Sequence, residues 1–143
     1  MSREVIKTNK APTPGNYSQA IKIDIGNGWL IYTAGQTGNF PNILDENESV
    51  VEGGIGPQTK RALNNLEEVL NEAGAGLMHV IKTTVYLENL ERDKSEFEKF
   101  YKKFFDIRGI NNLPSRSTVG VSKIPLATED TIIEIDAVAY LPK

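Results

Sequence analysis

The chain reads as an α+β domain, a mixed β-sheet with two helices packed on one face, in the order β-β-α-β-α-β-β. Three observations lead there. Two apolar segments, Ala20 to Ile25 and Trp29 to Thr33, flank Gly26-Asn27-Gly28, a linker able to adopt the positive φ values of a hairpin turn. Two longer stretches repeat apolar residues at helical spacing, and two others alternate with a period of two. Two helices can cover only one face of a sheet, so a layered arrangement follows.

The elements follow in chain order. Ala11-Pro12-Thr13-Pro14-Gly15-Asn16 is a turn-rich approach segment that delivers Tyr17 and Gln19 into the first strand of the hairpin. Gly35 to Gly54 is polar and rich in Gly, Asn and Glu, which predicts a long surface loop with one short strand at its end. From Pro57 to Ala73 the period changes: Ala62, Leu63, Leu66, Val69, Leu70 and Ala73 form one stripe, and Gly74-Ala75-Gly76 stops the helix. Val80 to Leu87 alternates and is rich in β-branched residues, so it is a strand. Asp93 to Phe105 is the second helix, with Phe97, Phe100, Tyr101, Phe104 and Phe105 on one broad face, a stripe that suits core packing rather than base stacking. The last two strands lie within Leu113–Val121 and Thr131–Ala139. The sheet face away from the helices still carries apolar residues such as Ile31, Val85, Val119 and Val121 in some register, which predicts burial in an oligomer.

Composition narrows the chemistry. A chain of 143 residues fits a single domain over residues 1–143, with a small core whose edges a partner could complete. There is no cysteine, so disulfides, thiolate nucleophiles and cysteine metal sites are excluded, and there is one histidine, so no His-based metal cluster or Ser-His-Asp arrangement can be drawn in one chain. His79 reads as a polar residue at the start of a strand. A net charge of −3 argues against a nucleic-acid surface, with Lys99, Lys102, Lys103 and Arg108 the nearest approach to a basic patch. Gly35-Gln36-Thr37-Gly38 and Gly53-Gly54-Ile55-Gly56 lack the context that phosphate loops need, and Asp45, Glu46 and Glu48 lack the spacing of a calcium loop. The N-terminus has no secretory apolar core and no run is long enough to span a membrane, so the expected location is cytoplasmic, with a mitochondrial pool left open.

Arg116 and Glu134 stand out because they fall in two β-rich segments that could lie side by side. In Ile132 to Val138 the alternation sends Glu134 away from the face supplied by Ile133 and Ile135. Two readings are open. The pair is either a structural salt bridge, or a site in which a planar guanidinium captures a carboxylate while Glu134 holds and polarises a water.

A set of motifs takes the reading further. Asn9-Lys10-Ala11-Pro12 with Tyr17-Ser18-Gln19-Ala20, Tyr32-Thr33-Ala34-Gly35-Gln36 and Val80 to Leu87 come first. Pro114-Ser115-Arg116-Ser117-Thr118-Val119-Gly120-Val121, Ile124-Pro125-Leu126 and Ile133 to Ala139 complete the series. In this order and spacing the chain resembles the reactive-intermediate imine deaminase family, also called the YjgF family, across nearly its whole length. The resemblance implies a chorismate-mutase-like (YjgF-type) fold and a barrel-like homotrimer with sites in clefts between subunits. It implies hydrolysis of 2-aminoacrylate, 2-aminocrotonate and their imine tautomers to 2-oxo acids and ammonia, with no metal or organic cofactor. Arg116 would clamp the substrate carboxylate, Glu134 would orient water and shuttle its proton, and Tyr17 would close the pocket. Thr118, Thr33, Ala34 and Gly35 would complete the substrate contacts.

The chain departs from the family pattern at three positions. Many deaminating members carry a cysteine at Thr118, a serine at Ala34 and an asparagine in the helix near Glu98. Threonine keeps a small polar side chain, alanine removes a potential hydrogen bond, and Glu98 would bring an extra negative charge to the rim. The competing reading is a non-enzymatic trimer of the same fold, binding small carboxylates as a regulator or chaperone-like factor. A related hydrolase with another imine or enamine is a further alternative, for which the Asn39 to Ser49 loop is the expected specificity element. Ribonuclease activity is disfavoured by the acidic chain and the lone histidine.

Overall fold

The computed structural model describes residues 2–12, 14–41, 49–125 and 128–143, and the expected hairpin is at one side of its sheet. Strand β2 (Ala20–Asp24) pairs antiparallel with β3 (Gly28–Thr33), and Gly26 in the turn takes φ 98°, a value that L side chains rarely adopt. A strand that the sequence reading missed, β1 (Arg3–Ile6), pairs outside β2. Only Ile6 of its four residues is buried, so it carries almost no alternation, and its charges protect a sheet edge from further pairing.

The long strand β7 (Ile133–Pro142) runs through the middle of the sheet. On one side it pairs with β3 and then with a two-residue strand, β4 (Gln36–Thr37); on the other it pairs with β5 (Val80–Leu87). Strand β6 (Ser115–Gly120) lies parallel to β5 at the far edge. The order among the described residues is β1-β2-β3-β7-β5-β6, with β4 beside β7. The expected short strand at the end of the 35–54 segment is reduced to one bridge, Asn39 with Val50, while β4 forms at its beginning. Residues 42–48, with Asp45, Glu46 and Glu48 and most of the expected specificity loop, lie outside the described residues.

Two amphipathic helices, α1 (Ile55–Glu72) and α2 (Leu90–Ile107), supply the second layer. Helix α1 begins two residues before the expected Pro57, which sits in the first turn where its missing N–H leaves no bond unmade. Helix α2 begins three residues before Asp93, because the Asn89 side chain accepts the Arg92 N–H at 3.1 Å and caps the helix. The helices close on each other where the Phe100 ring lies over Gly56; a β-carbon there would stand 2.5 Å from the ring. Leu63, Leu66, Leu70, Phe97 and Phe105 meet Ile31, Val85, Ile133 and Ile135 in one core. No helix among the described residues is long and apolar enough to cross a membrane.

The register corrects the expected composition of the uncovered sheet face. Ile31 lies opposite Ala139 and Val85 opposite Ile135, and all four are buried on the helix side. The open face instead carries Val119, Tyr32 and Val5, at 41%, 49% and 54% exposure, together with Glu134 and Asp136. That much apolar and aromatic surface on one side of a sheet is the kind of patch that a partner covers.

Candidate active site

Glu134 is positioned by an irregularity in the ladder beside β7. Strand β3 pairs as far as Tyr32 with Val138, and pairing resumes at Gln36 with Ile135, so Thr33, Ala34 and Gly35 span two residues of β7. The gap is sealed locally. The Thr33 hydroxyl accepts the Ala137 N–H at 2.9 Å, and the Ala34 N–H donates to the Gln19 carbonyl at 2.8 Å. The bulge leaves a notch at Gly35, and the Glu134 side chain fills it. A β-carbon on Gly35 would stand 2.5 Å from the Glu134 carboxyl carbon and 2.8 Å from Oε2, so glycine is required by space here.

The same face carries a second carboxylate. Asp136 lies two residues along β7 and accepts the Tyr86 hydroxyl at 3.1 Å. Burial pushes the Glu134 carboxyl above its ordinary value, and the neighbouring Asp136 charge adds to the rise. Asp136 is also raised by burial, against the pull of its hydrogen bonds from Tyr86 and Thr84 and the charge of Lys82. Burial and the Asp136 charge in turn raise the Tyr86 phenol. A carboxylate moved toward neutrality in this way is a better proton acceptor.

Arg116 leaves β6 on the other side of the sheet. Its register partner in β5 is Thr83, a buried helix-side residue, whereas Glu134 is opposite Tyr86 on the open face. The guanidinium carbon stands 5.1 Å from the Phe97 ring centre and 4.7 Å from that of Tyr101, two rings on α2. Such contacts hold a cation by ring attraction and leave its N–H fork for an anion. Nη2 donates to Glu98 Oε1, one turn before Tyr101 on the same helix. The Tyr101 hydroxyl shares a 2.8 Å hydrogen bond with Thr83; burial raises this phenol, opposed by the Thr83 bond and the Arg116 charge. Thr118 is two residues beyond Arg116 on the same face, and its Oγ1 is buried with no hydrogen-bond partner among the described residues.

The expectation that the Arg116 and Glu134 segments lie side by side is therefore corrected. Strand β5 lies between β6 and β7, and the two side chains leave opposite faces of the sheet. The intrachain partner of Arg116 is Glu98, not Glu134. Within one chain the candidates form two groups, Thr33, Ala34, Gly35 and Glu134 in the notch, and Arg116 and Thr118 at the β6 edge. Tyr17, half exposed, lies on the segment before β2, two residues from the Gln19 that binds the Ala34 N–H. His79 stands in the turn before β5, where its Nδ1 accepts the Gly76 N–H at 2.9 Å, a local structural role. Sequence reasoning placed Gln19 at the end of the approach segment but gave it no role. It is fully buried, and its amide makes three hydrogen bonds, accepting from Thr8 N at 2.7 Å and donating to Thr8 O and Pro12 O at 3.0 Å each. A glutamine beside a proline-rich segment was the available signal.

The family described as Endoribonuclease L-PSP matches residues 8–141. A RutC family protein of Pyrococcus abyssi is 42% identical over 141 residues, covering 98% of each chain. A Rattus norvegicus protein named 2-iminobutanoate/2-iminopropanoate deaminase is 38% identical over 138 residues, 96% of this chain and 89% of its own. Among solved structures, E. coli TdcF with bound serine superposes with a TM-score of 0.79 at 28% identity, covering 98% of this chain and 99% of that one.

Proposed function

The chain belongs to the endoribonuclease L-PSP family, the YjgF family of the motif reading, and from that premise we propose that it hydrolyses 2-imino acids and their enamine tautomers to 2-oxo acids and ammonia. The observation that carries this reading is Glu134, a carboxylate lifted in pKa and seated in a backbone notch on an open sheet face. It is an acid–base group with room beside it. The curated rat relative named as a 2-iminobutanoate/2-iminopropanoate deaminase supplies the substrate class.

The chemistry needs three things of the protein. Arg116 binds the substrate carboxylate with its paired donors, and the Thr118 hydroxyl adds a contact from the same strand. Glu134 accepts a proton from water as the water oxygen bonds to the imine carbon, and the imine nitrogen takes up a proton. Glu134 then returns that proton to the amino nitrogen, the C–N bond breaks to release ammonia, and the carbinolamine hydroxyl gives its own proton to solvent, replacing the one the imine nitrogen took up, as the C=O of the 2-oxo acid forms. Water and imine balance ketone and ammonia, so no redox partner enters. Tyr17 covers the bound substrate, while Thr33, Ala34 and Gly35 present backbone around Glu134. Much of the acceleration comes from placement.

Because Arg116 and Glu134 leave opposite faces of one sheet, a complete site takes the arginine of one copy and the glutamate of its neighbour. A homotrimer of 143-residue single domains, open sheet faces inward, meets that need and covers Val5, Tyr32 and Val119. The test is release of ammonia and 2-oxo acid when 2-aminocrotonate is generated in situ by a threonine dehydratase. Wild type should exceed the spontaneous rate, and Arg116→Ala and Glu134→Ala, each verified as a trimer, should not. An assembled wild type with no acceleration overturns the proposal.

A further inference from the structure

We propose that Glu98 is a specificity-determining residue, an internal carboxylate that occupies Arg116 and must yield when a substrate carboxylate binds. The inference rests on the assignment of Arg116 as the carboxylate clamp. Glu98 Oε1 takes the Nη2 donor of the guanidinium, and the Phe97 and Tyr101 rings hold the cation nearby. The contact is single rather than a two-pronged fork, and the Glu98 side chain is 42% exposed against 23% for Arg116. Glu98 is therefore the more solvated member, able to swing into water while the arginine stays between α2 and β6. A carboxylate held by one hydrogen bond at a half-exposed position is a weak competitor, since such pairs contribute about 0.2–1 kcal/mol.

This arrangement has two consequences for turnover. Substrate carboxylates lose affinity by the free energy needed to displace Glu98, because two anions on one cation repel and Glu98 cannot stay. Product carries the same carboxylate, so Glu98 returning to Arg116 expels it by the same factor. The penalty falls equally on every carboxylate that binds Arg116, so a ligand held through its carboxylate alone is left too weak to stay, while one with further contacts in the cleft has affinity enough to bear it.

Glu98→Gln keeps the size of the side chain and removes the charge. The expected result, for the assembled protein, is a roughly two- to fivefold lower KM for 2-aminocrotonate and an equally lower inhibition constant for 2-oxobutanoate, with kcat unchanged or reduced. Glu96→Gln, the same charge change at an exposed position on the same helix, should leave both constants at wild-type values. The opposite sign overturns the inference: a raised KM would make Glu98 a residue that positions Arg116. Unchanged constants, or an equal gain in Glu96→Gln, would reduce its effect to none or to bulk charge. Direct titration with 2-oxobutanoate needs no turnover. A wild type without deaminase activity whose Glu98→Gln variant binds the oxo acid more tightly would defeat the proposed reaction and leave this inference standing. An active wild type with an unaffected variant would do the reverse.

Discussion

Replacing Gly35 with alanine tests the notch directly. The added methyl would stand 2.5 Å from the Glu134 carboxyl carbon and 2.6 Å from its Cγ, about 0.9 Å inside the 3.4 Å at which ordinary contact begins. Gly35 is not among the glycines with positive φ, so backbone strain does not contribute and the side chain must move. Forcing a glutamate off its rotamer costs about 0.5–1.5 kcal/mol, and local overpacking about 1–3 kcal/mol. Glu134 can turn toward solvent on the open face, so the lower part of that range applies and the variant should fold. Catalysis should suffer more, because a displacement near 1 Å of a proton-transferring group costs roughly 100-fold. Gly35→Ala should therefore lose about 1 kcal/mol in a urea melt and about two orders of magnitude in kcat/KM. In a Glu134→Ala background the same substitution should cost little stability. A folded Gly35→Ala variant with wild-type kcat/KM would refute the seating of Glu134 against the bulge as the basis of activity.

The remaining predictions concern the supports of the same site. Burial raises the folded pKa of Glu134 and Asp136, so the folded chain holds protons that the unfolded chain has released. No penalty exists below the ordinary carboxylate range, and stability is lost as pH rises through the raised values. Glu134→Gln should thus be inactive yet more stable than wild type at pH 7, with the gain vanishing toward pH 4 in melts across that range. Thr33→Val removes the acceptor of the buried Ala137 N–H and should cost about 1–3 kcal/mol, with faster hydrogen exchange at that amide. Gln19→Ala deletes the amide that ties Thr8 and Pro12 to the hairpin. A loss of about 2–3 kcal/mol and earlier proteolysis within residues 8–19 are expected.

The elements legible in the sequence were those whose burial repeats. The stripe from Ala62 to Ala73, the aromatic run from Phe97 to Phe105 and the alternation of Ile133, Ile135 and Ala137 each state a period and a face. Strand β1 buries one side chain in four and states neither. The motif reading singled out Thr33, Gly35, Arg116 and Glu134, and the alternation sent Glu134 to the open face, where it lies. Local pattern does not contain strand order. Insertion of β5 between β6 and β7 separated Arg116 from Glu134, and the register between β3 and β7 put Ile31 inside. The notch was hidden because a bulge depends on which residue of β7 faces Thr33, and the Arg116–Glu98 pair because it joins residues 18 apart on different layers.

The two-sided placement of Arg116 and Glu134 also decides how damage spreads. In the proposed trimer each subunit lends its arginine to one neighbour and its glutamate to the other, so a lesion is felt across a boundary rather than within the altered chain. A ring containing one Arg116→Ala copy loses the single site to which that arginine belonged. When Arg116→Ala and Glu134→Ala chains, each inactive alone, are mixed in equal amounts, about a quarter of the boundaries bring an intact arginine to an intact glutamate. Two dead proteins would thus restore part of the activity by exchanging subunits.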